Sequence, residues 1–344
     1  MTMDGKRRQV VKGMAAVMAA GLPGLWGGAR AQSPAAGGEI VLTLDFIALG
    51  RHAPWYVALG KGYFKQAGLN VKIVPGQGTA QAIQALEAGI AQFAFSDVVS
   101  LAIARGRNSS SARFVAMNYQ SAPYAVFSLS KGANVTKPAQ LSGLEVASGA
   151  GSFSPKVIQG FMKQQHLDPA SIKFINVDGS ARVGMMISKK VPAIENFIFS
   201  QVGMEKALGA GQLSTLLLSA HGLELYANGL LAKDELIHSS PEVVKAFVNA
   251  AMLGWRDALA DPKGASAIMA KYVPSLDQEV AAGEIKLLDK LAQSPATRQH
   301  GLGWTDGGLM QKSIDFIAEN IGIDGAKPTA ADLYTNDFLP KAGA

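Results

Sequence analysis

From residue 40 onward the apolar positions alternate between two spacings. Residues 40–46 place Ile40, Leu42, Leu44 and Phe46 at every second position, the period of a strand with one buried face. A helix is predicted to open near Pro54, whose fixed φ suits a first turn, and to end at Gly68. Residues 70–74 predict a second strand, and 79–88 a helix with Ile83, Leu86 and Ile90 on one side. A strand over 92–95, a helix over 98–105 and a strand over 113–118 complete the first half. This alternation predicts right-handed βαβ units and a parallel sheet.

The same grammar then restarts. Residues 124–129 predict a strand leaving the first lobe, and 144–147, 172–177, 193–197 and 213–218 predict the strands of a second sheet. Helices are predicted over 155–166, 181–188 and 202–208, and residues 225–232 predict a return strand. The remainder is mostly helical, with stripes over 241–259, 277–291 and 307–321 whose apolar residues are core-forming by spacing alone. The fold class expected is therefore α/β, with two α/β lobes joined by two extended crossings near 119–128 and 222–230. Lobe 1 is discontinuous, 39–123 and 226–344, and lobe 2 is 124–225. Two crossings make a hinge, and the cleft between the lobes is the expected ligand site, because α/β sheets bind at the carboxyl ends of their strands.

Residues 1–31 are read as an export signal and not as fold. Lys6-Arg7-Arg8-Gln9-Val10-Val11-Lys12 precedes a Gly- and Ala-rich apolar stretch broken by Pro23, and Ala29-Arg30-Ala31 offers a small–x–small cleavage site. The spacing of Arg7-Arg8 and Lys12 resembles a twin-arginine signal. A flexible linker, 32–38, follows. Removing the signal changes the charge picture: the precursor's net +6 falls to about +2, with 27 basic and 25 acidic residues left. No basic block remains for nucleic acid. The chain has no cysteine, so neither disulfides nor a lipidated N-terminal cysteine is available. The expectation is a free, monomeric periplasmic protein without a cofactor or a metal.

Candidate chemistry is sparse and points to holding a molecule more than to changing one. Ser148-Gly149-Ala150-Gly151-Ser152-Phe153-Ser154-Pro155 lies between a predicted strand and helix, where small residues admit a ligand and helix-start amides attract a polar edge. It lacks the Gly-Lys-Ser/Thr of a P-loop, and an ordinary tight turn is the alternative. Ser96-Asp97 also follows a strand; Asp97 is as well suited to capping the next helix while Ser96 faces the cleft. His52 has no second ligand at metal spacing and is expected to hydrogen-bond at the cleft mouth, with Arg51 beside it either meeting an anion or solvated. Glu195 stands inside the apolar run Val191-Pro-Ala-Ile-Glu-Asn-Phe-Ile-Phe and needs a partner, either a ligand's cationic group or a backbone amide. Phe46, Tyr119, Phe153 and Tyr226 are aromatics near strand tips, where two of them would sandwich a flat ligand.

His52-Ala-Pro-Trp-Tyr-Val-Ala-Leu-Gly-Lys-Gly-Tyr-Phe-Lys-Gln-Ala-Gly-Leu-Asn-Val resembles the opening of the NMT1/THI5-like group of ABC-transporter substrate-binding proteins. That group includes binders of alkanesulfonates, taurine, nitrate, riboflavin and thiamine-precursor pyrimidines. Ala85-Leu-Glu-Ala-Gly-Ile-Ala-Gln-Phe-Ala-Phe-Ser-Asp, Leu141-Ser-Gly-Leu-Glu-Val-Ala-Ser-Gly, Pro241-Glu-Val-Val-Lys-Ala-Phe and Asp332-Leu-Tyr-Thr-Asn-Asp-Phe-Leu fit the same pattern in order. The resemblance implies a type II periplasmic-binding-protein fold that closes on a small-molecule ligand and delivers it to an inner-membrane ABC permease driven by a separate ATPase subunit. Carried over by position, it implies ligand-facing residues Phe46, Arg51, His52, Gln77, Ser96, Asp97, Tyr119, Ser148, Gly151, Ser152, Phe153, Glu195 and Tyr226. Relatives often carry Val-Asp-Ala where this chain has Val191-Pro192-Ala193, so any role of that aspartate lapses here. The same clamp would also serve a sensor that presents its ligand to a membrane receptor. Pyrimidine-synthase-like relatives carry a cysteine-rich motif, which this chain lacks.

Overall fold

The computed structural model describes residues 38–149, 152–178 and 181–341; the signal segment and Gly151 lie outside the described residues. Ten strands follow one another as β1 (Glu39–Thr43), β2 (Asn70–Val74), β3 (Phe93–Asp97), β4 (Ala112–Ala116), β5 (Tyr124–Leu129), β6 (Glu145–Ser148), β7 (Lys173–Asn176), β8 (Ala193–Phe197), β9 (Leu213–Leu217) and β10 (Asn228–Lys233). They form two five-stranded sheets of one plan, ordered β2-β1-β3-β10-β4 and β7-β6-β8-β5-β9.

The sheets are mixed where a parallel sheet was expected. β1 runs parallel to β2 and β3, and β6 parallel to β7 and β8. The fourth strand of each sheet is the one that has just crossed from the other half of the chain. β10 enters the first sheet antiparallel to β3 and β4, and β5 enters the second antiparallel to β8 and β9. A strand arriving from the neighbouring sheet needs no helical crossover to reverse its direction. The crossings run side by side, the Tyr119 amide donating to the Asn228 carbonyl at 2.8 Å.

Several bounds differ from the sequence pattern for local reasons. β1 stops at Thr43, because Asp45 turns inward to charged partners while Phe46 is left 45% exposed at the tip. The helix expected over 54–68 is two helices, Ala53–Gly60 and Tyr63–Gln66, separated by Gly62 at φ 76°. The return strand begins at Asn228 and not at Leu225, since Tyr226 is pinned elsewhere. The Tyr226 amide donates to Ser313 Oγ at 3.0 Å and its hydroxyl accepts the Asp306 amide at 2.8 Å. Asp261-Pro262 ends one helix only to start another, Pro262–Ala270, with the Asp261 carboxylate accepting the Gly264 amide.

Two of the C-terminal helices touch both sheets' helices. Gln278–Ala292 packs on the Gly50–His52 turn and on Ser200–Leu208, where Lys206 pairs with Asp277 and Glu279, each at 2.8 Å. Gly307–Asn320 packs on Val98–Gly106 and on Ser154–Gln164, where Lys163 meets Glu319 at 2.6 Å. Under the first sheet, Ala53–Gly60 lies against Pro241–Ala260, with Trp55 and Trp255 edge to face at 5.4 Å. Gly254 permits that approach: a Cβ there would sit 2.5 Å from the Pro54 carbonyl oxygen and 2.6 Å from Ala58 Cβ. Alanine at 254 gains about 1 kcal/mol of helix propensity, yet the overpacking outweighs it. Gly254→Ala is expected to lower stability by about 1–2 kcal/mol net, read as a lower urea midpoint.

Candidate functional site

Tyr124, the first residue of the crossing strand β5, lies at the carboxyl end of β8. Its ring stands edge-on to Phe197 at 5.4 Å, and Tyr124 and Phe197 are register partners. Burial pushes the Tyr124 hydroxyl well above its ordinary pKa, and the charges of Asp97 on one side and Glu195 on the other push the same way. The hydroxyl therefore stays protonated, with no hydrogen-bond partner among the described residues. Of these two carboxylates, Asp97 belongs to the first sheet and Glu195 to the second.

On the first sheet's side, Asp97 is both buried and the N-cap of Val98–Gly106, accepting the Ser100 amide at 2.6 Å. Burial raises its pKa against the lowering by the Ser100 amide and the Thr79 and Ser100 hydroxyls. Ser96 is equally buried and donates to the Thr79 carbonyl at 2.9 Å, tying the tip of β3 to the start of the helix Thr79–Glu87. Gln77 and Phe46 are exposed on the neighbouring tips.

On the second sheet's side, Glu195 is the organising group. It is 3% exposed, and one oxygen, Oε1, accepts Ser148 Oγ at 2.9 Å, the Gly149 amide at 3.3 Å and Arg182 Nη1 at 2.6 Å. The sequence reading left its partner open between a ligand cation and a backbone amide. The structure supplies the amide and adds Arg182, a residue that reading passed over. Arg182 is the basic residue in the short helix Arg182–Ile187, otherwise apolar but for Gly184, which is the signal that was available. Ser152 accepts the Ser154 amide at 3.1 Å as a turn cap, and Phe153 is half-buried against the core.

Four candidates turn inward because the chain itself satisfies them. His52 is fully buried; Nε2 lies 2.7 Å from Asp45 Oδ1 and Nδ1 accepts the Leu49 amide at 3.0 Å, which fixes the neutral tautomer with Nε2–H donating. Burial, then the Arg51 charge, pushes its pKa down to about 4 against the pull of Asp45. Arg51 meets an anion, but that anion is Asp45 at 2.9 Å. Its guanidinium also lies 5.7 Å from the Phe197 ring and 5.9 Å from that of Phe199, so it sits beneath the second sheet's tip. Tyr119 lends its hydroxyl to Arg51 at 3.4 Å and its ring to Phe95 and Phe199. Tyr226 holds the start of Gly307–Asn320, as described. Asn228 Nδ2 completes the cluster on Asp45 Oδ2 at 2.8 Å. Asp45 itself is pushed up by burial, but Arg51 and His52 outweigh that and hold it at about 2.

The arrangement thus has a polar tip on each sheet over a charge-compensated buried floor. Ser148 donates to Glu195, and both ring nitrogens of His52 are engaged, Nδ1 by the Leu49 amide and Nε2 by Asp45. A separate surface groove of about 700 Å³ runs beside β2, lined by Ile47, Tyr56, Ile73 and Tyr272 among others. Among the described residues no helix is long and apolar enough to cross a membrane.

Comparison with known proteins agrees with this architecture. The riboflavin-binding protein RibY of Chloroflexus aurantiacus is 25% identical over 322 residues, covering 88% of this chain and 86% of that protein. The periplasmic aliphatic sulphonate binding protein SsuA from Escherichia coli superposes with a TM-score of 0.69 at 14% identity, over 89% of this chain and 94% of that one. The alkanesulfonate-binding protein SsuA from Xanthomonas axonopodis pv. citri, bound to MOPS, gives 0.67 at 13% identity, over 88% and 99%. These likenesses establish the periplasmic-binding-protein fold. Residues 50–265, more than half of the chain, match the family described as NMT1/THI5 like, and the chain belongs to that family.

Proposed function

We propose that this protein is the periplasmic solute-binding component of an ABC importer, acting as a monomer. It captures a small organic solute between the tips of the two sheets and hands it to a membrane permease powered by a separate ATPase. The observation that carries this reading is the half-used carboxylate of Glu195. Its three hydrogen-bond donors all fall on Oε1, while Oε2 receives none among the described residues. An acceptor on a nearly buried side chain that the described residues leave free is one a solute's polar group can take. The residues proposed to line the solute are Phe46, Gln77, Ser96, Asp97, Ser148, Ser152, Phe153 and Glu195. Arg51, His52, Tyr119 and Tyr226 shape the floor and the crossings instead.

Native mass spectrometry of the protein purified without unfolding tests this. One bound molecule of a few hundred daltons per chain is expected, and Glu195→Ala is expected to weaken it at least tenfold, about 1.4 kcal/mol. A clean unliganded mass, with no thermal shift from sulfonates, pyrimidines, flavins or aromatic acids, would remove the reading.

A further inference from the structure

Each strand tip of the proposed site is followed by a turn or a helix. In the first sheet β1 precedes the turn Gly50–His52 and β3 the helix Val98–Gly106. In the second, β6 precedes Ser154–Gln164 and β8 precedes Ser200–Leu208. The two bridging C-terminal helices divide these elements between them. Gln278–Ala292 packs on the turn Gly50–His52 and on Ser200–Leu208, whereas Gly307–Asn320 packs on Val98–Gly106 and on Ser154–Gln164. Each bridging helix therefore ties one tip of the first sheet to one tip of the second.

Glycine notches set how closely these helices approach. A Cβ at Gly283 would stand 2.5 Å from Val202 Cγ1 and 3.2 Å from its Cγ2. One at the buried Gly160 would stand 2.7 Å from Phe316 Cζ and 2.8 Å from Asn320 Cβ. On the first sheet's side, a Cβ at Gly50 would stand 2.8 Å from Ala281 Cβ. Apolar packing fills both seams: Phe199 and Met204 share one core with Ile285 and Leu288, and Ile158 and Phe161 share the other with Ile314 and Phe316. The ion pairs over the seams, Lys206 with Asp277 and Glu279 and Lys163 with Glu319, are exposed and contribute little each. Close packing therefore holds the spacing. Two extended crossings alone would leave the sheets free to bend.

Resting on the solute-binding reading, we propose that Gly160 and Gly283 are positioning residues. The two bridging helices act as struts, and their notches set the gap between the tips of the two sheets and hence the thickness of solute the site holds. A side chain in either notch pushes a strut outward and moves the tip that precedes the gripped helix, without touching a residue that lines the solute. Packed interfaces of this kind shift between discrete arrangements and do not stretch smoothly, so a small displacement at a notch is carried to the tip.

The test exploits a chain without cysteine. Spin labels at Gln81→Cys, on the helix Thr79–Glu87, and at Lys190→Cys, just before β8, sit on exposed positions beside different sheets, and pulsed EPR reads their separation. Gly160→Ala and Gly283→Ala are each expected to lengthen that distance. Each should also speed escape of the solute that co-purifies, followed by native mass spectrometry after dilution, by roughly tenfold. Adding Val202→Ala to Gly283→Ala leaves the two Cβ atoms 3.4 Å apart and should restore both readings. Gly203→Ala, on the same helix, brings a Cβ only to 4.0 Å from Val280 Cγ1 and should change neither. Should a glycine variant fail to fold, a short bismaleimide bridge between Lys206→Cys and Glu279→Cys tests the same strut from the other direction and is expected to slow escape. Unchanged distances in folded glycine variants, a lengthening that Val202→Ala does not reverse, or a bridge without effect on escape overturns the proposal. A chain that retains no solute overturns the solute-binding reading, while the label distances still decide the struts.

Discussion

Replacing Asp45 with alanine is expected to cost about 3–5 kcal/mol of stability, the largest single-residue effect in this structure. The carboxylate takes Arg51 Nη1 at 2.9 Å and Asn228 Nδ2 at 2.8 Å on Oδ2, and His52 Nε2 at 2.7 Å on Oδ1. All of these groups are buried. Without the carboxylate, a guanidinium held among aromatic rings keeps its charge and loses its counter-ion, while two further donors are orphaned. Asp45→Asn should cost less, since it keeps an acceptor for Asn228 or His52. The comparison is Asp315→Asn, which breaks the exposed Lys327 pair at 2.6 Å and is expected to cost less than about 1 kcal/mol. Urea unfolding at pH 7.5 measures all three, and an Asp45→Ala loss no larger than that of Asp315→Asn would contradict the role given to the cluster.

Glu284→Gln is expected to stabilise the protein by about 2 kcal/mol at pH 8. Glu284 Oε2 accepts the Arg51 amide at 3.1 Å, and burial pushes its carboxyl up to about 7 from 4.5 against the lowering by that amide, the Arg51 charge and the Gly50 amide. An acid whose folded pKa is raised favours the folded chain below its unfolded value and loses that contribution as pH climbs through 7. His52 acts with the opposite sign. Its pKa drops from 6.5 to about 4 on folding, so the unfolded chain takes the proton first and stability falls as pH drops through that interval. Between about pH 4.5 and 6.5 the two slopes offset each other in the wild type. Removing Glu284 exposes the His52 slope alone, so the variant should weaken steadily as pH falls from 6.5 to 4.5. Its advantage over wild type should grow from pH 5 to pH 8, and a constant difference across that range would show that Glu284 does not titrate on folding.

Much of the architecture was legible because strand and helix periods are local properties. β8 was read to its exact bounds, since Pro192 opens it and its alternation is unbroken. The antiparallel strands were not legible, because direction depends on which sheet a crossing strand joins and not on its own pattern. Arg51 and His52 looked like mouth residues because they follow the predicted end of the first strand. Their side chains turn instead to Asp45, and the groups that complete this cluster, Asn228 on Asp45 and Glu284 on the Arg51 amide, lie far along the chain and carry no sign of the pairing. Arg182 was missed for the same reason: its importance comes from lying 2.6 Å from Glu195, a distance set by the packing of the helix Arg182–Ile187 against β8. The capping role of Asp97 was legible, as its position before Val98 is that of an ordinary N-cap.

The central claim is that one solute touches the tips of both sheets at once. Hydrogen exchange with and without the retained solute tests it most directly. Binding at the tips predicts slowed exchange at residues 96–98 of the first sheet's side and at 148–149 and 195–199 of the second, together and to a similar degree. Slowing confined to one sheet, or centred on the groove beside β2 at Ile73 and Tyr272, would contradict it.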